Sequence, residues 1–222
     1  MANLIDALLV AVLMLNIFAL GTSRIQSVIR IVAAQGAVLG LVTLLMHGSL
    51  SFPIVLSALA AVLLKGIVIP AVMSRSLRAA EIKREVEPFI GFLPSILLGA
   101  AATAIVLLAA RGLSRGGGAP AALAGASREP SLVVPAAIAT IVVGFLILVT
   151  RYKAITQVLG YLVLENGIFI FGTLLVEAIP FVVEMGMLLD LFVGVFVISI
   201  ITNHINRAFS SMDTRRLVSL KE

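Results

Sequence analysis

Three ionisable residues fall inside strongly apolar segments of this chain: Lys65 in LLKGIVIP, Glu165 in YLVLENGIFIFG and Asp190 in MGMLLDLFVGVFV. A charged group in hydrocarbon is costly, so those that are retained face a partner, a water-filled cavity or an ion path. Burial of a carboxyl group disfavours its charged form, and this is how such a group comes to load and release a proton near neutral pH. The chemistry on offer is therefore ion handling, with the two acids as relays; the alternative is a neutral acid in a static interhelical hydrogen bond. Glu165 lies near the middle of its segment and Asp190 roughly two turns into the next. Antiparallel packing, at about 1.5 Å rise per residue, sets the two carboxyls within about 5–8 Å of each other in depth.

Lys65 stands five residues before Pro70. The proline removes the backbone hydrogen bond to the Gly66 carbonyl, so a kink beside the ammonium is expected. Lys65 either exchanges charge with a carboxylate, from this chain or another subunit, or snorkels to the interface. Gln35 and Asn166 are candidates for polar support, able to hydrogen-bond across helices.

The rest of the composition is that of a lipid-solvated chain. Of 222 residues, 61% are hydrophobic and 12% charged, well beyond the balance of a soluble domain. The spans leave no room for a soluble catalytic domain, so no enzyme activity of its own is expected. There is no cysteine, hence no thiolate for an iron–sulfur cluster and no thiol nucleophile. The two histidines, His47 and His204, are too few for a haem or zinc site, and no cofactor or metal is expected in this chain. The net charge of +5 comes from short loops between spans, where it sets orientation and does not imply nucleic acid. No basic stretch precedes the first apolar segment, so it reads as a retained helix and not a signal peptide.

The fold class expected is an all-α polytopic membrane protein with about seven transmembrane helices. The apolar segments are Asn3–Leu20, Ile25–Met46, Phe52–Met73, Phe89–Ala110, Leu132–Val149, Ile155–Val176 and Val183–Ile205. One set of alternate loops collects Arg24, Arg75, Arg78, Lys83, Arg84, Arg151, Lys153, Arg207, Arg215, Arg216 and Lys221, against Arg111, Arg115 and Arg128 on the other side. The positive-inside rule puts the first set in the cytoplasm, with the N-terminus outside and the C-terminus inside. The stretch SRSLRAAEIKREVEP, with Leu77, Ile82 and Val86, reads either as a short interfacial helix or as a solvated loop. The Gly-, Ala- and Pro-rich run between Arg111 and Ser131 has the composition of a tether. Three regions result: residues 1–88, a three-helix unit with its cytoplasmic loop; 89–131, a connecting helix and outer loop; and 132–222, a second three-helix unit and tail. Ile25-Gln26-Ser27-Val28 through Gln35-Gly36 aligns with Ile155-Thr156-Gln157-Val158 through Glu165-Asn166 at a constant offset of 130 residues. Duplication of a helix triplet or coincidence would both account for it.

The segments ITQVLGYLVLENGIFIFG, VVEMGMLLDLFVGVFVISIITNHI and MDTRRLVSLKE, with LLKGIVIPAVM in the third span, resemble the hydrogenase-4 component E family. These are membrane subunits of proton-translocating [NiFe]-hydrogenase and formate hydrogenlyase complexes. The C-terminal half is also similar to subunit K of complex I and to its small counterpart in the Mrp-type cation/proton antiporters. The resemblance implies that Glu165 and Asp190 fall on the two membrane glutamates of subunit K that serve proton translocation, Asp190 being shorter by one methylene. It further implies a hetero-oligomer in the bacterial or archaeal cytoplasmic (inner) membrane. There the chain would meet antiporter-like membrane subunits and a peripheral hydrogenase arm, whose own subunits would hold the Ni-Fe centre and Fe-S clusters.

Three functions compete. In the first, Glu165, Asp190 and Lys65 form part of a lateral proton or sodium route. In the second, the chain is a scaffold of such a complex, or a subunit of a cation/proton antiporter or another complex I-like oxidoreductase. The third is a free-standing transporter built from two repeats, for which broken helices in corresponding positions would be expected.

Overall fold

The computed structural model describes residues 2–46, 55–56, 58–59, 61–79, 89–115 and 132–174. Among these every regular element is helical and there is no strand. That is the outcome lipid demands of an apolar chain, because a helix satisfies its backbone groups within one segment. In order the elements are α1 (Ala2–Gly21), α2 (Ile25–Met46), a π-helical segment (Ala61–Val68) continuing into α3 (Ile69–Ala79), α4 (Phe92–Arg115), α5 (Val133–Thr150) and α6 (Ala154–Thr173). Five of them, α1, α2, α4, α5 and α6, contain stretches long and apolar enough to cross a membrane. The seventh expected span, with Asp190, lies outside the described residues.

The third expected span departs from a plain helix. Pro70 can donate neither to Gly66 in the α pattern nor to Lys65 in the π pattern, and the chain ahead of it takes the π form over Ala61–Val68. The helix then runs past Met73 to Ala79, into the stretch read as interfacial helix or loop. Leu77 explains this: with Ile69 and Met73 it makes one buried face of α3 in the core. The fourth span starts later than expected, at Phe92 and not Phe89, and continues to Arg115. Gly91 has φ +79°, a left-handed conformation that suits glycine and interrupts the helix, and Pro94 sits in the first turn, where its missing N–H costs nothing.

Short turns make neighbours antiparallel. Residues 22–24 join α1 to α2, and residues 151–153 join α5 to α6. The C-terminus of α1, the N-terminus of α4 and the α5–α6 turn meet at one end: Arg151 Nη2 donates to the Leu20 carbonyl at 2.8 Å, and the Phe89 amide donates to the Thr150 carbonyl at 2.9 Å. Adding 130 to the bounds of α1 and α2 gives 132–151 and 155–176, close to α5 and α6.

The core is two apolar clusters with a polar layer between them. Toward the end with Arg24 and Arg151 are Ala19, Val32, Ile69, Val143 and Val163 with their neighbours. Toward the other end are Val12, Leu39, Ala137, Ile170 and theirs. Asn16, Gln35, Thr140, Glu165 and Asn166, all buried, fall between these positions along their own helices, and buried Lys65 reaches Glu165 at the same level.

Candidate functional site

Lys65 crosses from the π segment to α6, where its Nζ lies 3.1 Å from Glu165 Oε1, with both side chains enclosed at 3% and 5% exposure. The ammonium also stands 4.9 Å from the ring centroid of Phe169, one turn beyond Glu165 on the same helix, so the aromatic face adds a favourable contact to the cation. Stripping either ion of water costs several kcal/mol, on the order set by burial in a low-dielectric interior, and only close opposite charge offsets it.

Two glycines bring the backbones close enough for this meeting. A Cβ on Gly36 would come within 2.7 Å of both the carbonyl carbon and Cβ of Lys65. Helix α2 can therefore lie directly against the π segment at the level of the ammonium. Beside Glu165 and Asn166, a Cβ on Gly167 would reach 2.6 Å from the Ile141 backbone nitrogen, so α6 lies equally close to α5. Small residues at such crossings are the usual means of close helix packing in membranes.

A directed chain of hydrogen bonds crosses the bundle from Asn166, the residue after Glu165. Asn166, next to Glu165, donates through Nδ2 to Gln35 Oε1 at 3.3 Å. Gln35 Nε2 donates to Asn16 Oδ1 at 2.7 Å, and Asn16 Nδ2 donates to Thr140 Oγ1 at 2.9 Å. The Thr140 hydroxyl donates in turn to the Ala136 carbonyl at 2.7 Å. The polar layer thus ties α6, α2, α1 and α5 together, and the ion pair adds the π segment. Gln35 and Asn16 each accept at the amide oxygen and donate at the nitrogen, which fixes their orientation.

Of the sequence-derived candidates, Lys65 and Glu165 are brought into direct contact, and Gln35 and Asn166 into contact with each other. Asp190 lies outside the described residues. Sequence reading alone does not single out Asn16 and Thr140, although an asparagine within LMLNIFAL is an intramembrane polar residue of the kind that seeks a partner. The GAVLG spacing of Gly36 and Gly40 was the available signal for the close approach. Arg151, read as an ordinary loop charge, is 1% exposed; burial pushes its guanidinium below the usual arginine range. Among the described residues no group of three or more His, Asp or Glu is placed to hold a metal ion.

Fold and site together define a helical membrane protein with an ion pair and an amide chain buried between its helices. No family model matches the chain, and no solved structure matches it. Over 203 residues, 89% of this chain and 87% of the relative, it is 28% identical to the uncharacterized protein Rv0085 of Mycobacterium tuberculosis (strain ATCC 25618 / H37Rv). It is 30% identical to hydrogenase-4 component E of Escherichia coli (strain K12) over 93 residues, 42% of this chain and 42% of that protein. The hydrogenase-4 component E of Shigella flexneri gives the same figures. The aligned region therefore spans less than half the length of hydrogenase-4 component E.

Proposed function

We propose that this chain is a non-catalytic membrane subunit of a proton-translocating, hydrogenase-like complex, in which Lys65 and Glu165 form one station of a lateral ion route. The observation that carries the reading is the enclosed contact of 3.1 Å between the two side chains. A pair of this kind couples position to charge. A proton arriving on Glu165 weakens its attraction for the ammonium, and the Lys65 charge then favours onward release of a proton from a neighbouring group. The π turn and Pro70 give Lys65 an irregular helix in which to move. Partial similarity to hydrogenase-4 component E supports the assignment to a complex of that type. Asp190 is proposed as the next carboxyl on the route, and seven spans with the C-terminus in the cytoplasm as the topology. The Ni-Fe centre and Fe-S clusters, the antiporter-like subunits and the peripheral hydrogenase arm belong to partners in this reading.

The test is made in the assembled complex, purified with its subunits verified. Glu165→Gln combined with Asp190→Asn should leave hydrogenase turnover with a soluble dye intact while coupled ion pumping falls. Normal pumping by that double variant rules out the route.

One observation favours a second reading, a scaffold role. The chain from Asn166 to Thr140 is made of amides and a hydroxyl in fixed orientation, the pattern of an interhelical lock. Under this reading conservative changes at the carboxyls are silent in both assays, and deleting the chain dissociates the complex.

A further inference from the structure

At the end of the bundle that carries Arg24 and Lys153, two enclosed polar side chains keep donors without partners among the described residues. Arg151 is 1% exposed and Ser95 0% exposed. Arg151 spends Nη2 on the Leu20 carbonyl, while its Nε and Nη1, and the Ser95 hydroxyl, make no hydrogen bond among the described residues. Both groups belong to one corner. The guanidinium stands 5.4 Å from the Phe92 ring centroid in the first turn of α4. Ser95 is one turn further on, and its neighbour Ile96 meets Gly21 beside Leu20, at 3.1 Å from where a Gly21 Cβ would stand. The N-terminus of the 24-residue α4 adds the positive end of its dipole to the same corner.

A buried cation with free donors beside a helix N-terminus requires negative charge. No carboxylate among the described residues supplies it. Only Asp6 and Glu165 are acidic there; Asp6 accepts from the Leu132 amide at the opposite end, and Glu165 faces Lys65. Arg151 is the first residue beyond α5, at the boundary of the apolar span. The exposed rings of Phe89 and Tyr152 stack beside it with centroids 3.5 Å apart, an aromatic pair of the kind found at headgroup level.

We infer that this corner is an anion site for the headgroup phosphate of an anionic phospholipid. The phosphate takes the free guanidinium donors and the Ser95 hydroxyl, with side-chain movement of the ring pair giving access. A phosphate diester matches the guanidinium in charge and donor geometry, and basic pockets on the expected cytoplasmic side suit such headgroups. This site is independent of the ion pair and of any proton route.

The test uses the full chain in nanodiscs of phosphatidylcholine with or without phosphatidylglycerol, read by native mass spectrometry of retained lipid. Phosphatidylglycerol should be retained preferentially. Arg151→Gln should weaken its apparent affinity about tenfold, the effect of losing a charged hydrogen-bond partner. Arg151→Lys and Ser95→Ala should each weaken it less, and Arg111→Gln at the far end of α4 should leave it unchanged. Equal retention of the two lipids overturns the proposal, as does wild-type affinity in Arg151→Gln. Should Arg151→Gln not fold, wild-type affinity in both Arg151→Lys and Ser95→Ala is the overturning result. Displacement of phosphatidylglycerol by inorganic phosphate in the millimolar range would assign the site to a free anion and overturn the lipid as its occupant.

Discussion

Lys65 and Glu165, one hundred residues apart in sequence, face each other at 3.1 Å in a layer bounded by apolar clusters above and below. The ammonium comes from the irregular turn before a proline and the carboxylate from a regular helix. Neither charge has the solvent that would let it stand alone.

Removing one partner should therefore cost more than removing both. Lys65→Met or Glu165→Gln alone is expected to lower stability by about 3–5 kcal/mol, because the remaining buried group loses its opposite charge at 3.1 Å. The double variant should recover much of that loss. Thermal melting of the four proteins in detergent closes the cycle, and the coupling should persist at high salt, since an enclosed pair is poorly screened.

The space beside Lys65 is testable at Gly36. Gly36→Ala places a methyl 2.7 Å from the Lys65 backbone carbon and should destabilise by about 1–3 kcal/mol through forced separation of α2 from the π segment. Gly112→Ala makes the contrast. Its added Cβ meets nothing within 4 Å, so removing a helical glycine there should be neutral or stabilise by up to about 1 kcal/mol. A similar loss at both positions would show that the close approach at Lys65 has no special weight.

The amide chain should behave as a coupled unit. Gln35→Leu leaves Asn16 Oδ1 and Asn166 Nδ2 without their partners and is expected to cost about 1–3 kcal/mol. Thr140→Val removes the acceptor of Asn16 Nδ2 and the donor to the Ala136 carbonyl and should cost about 1 kcal/mol. In the pair Gln35→Leu with Asn16→Leu the losses should be less than additive; strict additivity in equilibrium unfolding would mean that the residues do not act together.

Topology can be read directly because the chain has no cysteine. Ser23 lies exposed in the α1–α2 turn and Gly112 exposed near the opposite end of α4. With Ser23→Cys and Gly112→Cys in intact cells, a membrane-impermeant maleimide should label only the second, as the positive-inside rule requires. Labelling of Ser23→Cys from outside would invert the orientation.

The amino-acid sequence by itself determined the apolar solvent of this protein and the positions of α1, α2, α5 and α6. Hydropathy summed along a single segment is a local quantity, and α1, α2, α5 and α6 begin and end within a few residues of where the apolar runs do. It likewise marked Lys65 and Glu165, because the cost of a charge in hydrocarbon is visible one residue at a time. Only the tertiary structure decided what faces what. Whether Lys65 reaches Glu165 depends on the π turn ahead of Pro70, on how far α2 advances at Gly36, and on the rotation of α6 against α5. Each of these is fixed by packing between segments distant in sequence. The same reason explains Asn16, Thr140 and Arg151: their side chains are unremarkable in composition, and their burial and bonding arise only where the helices close around them.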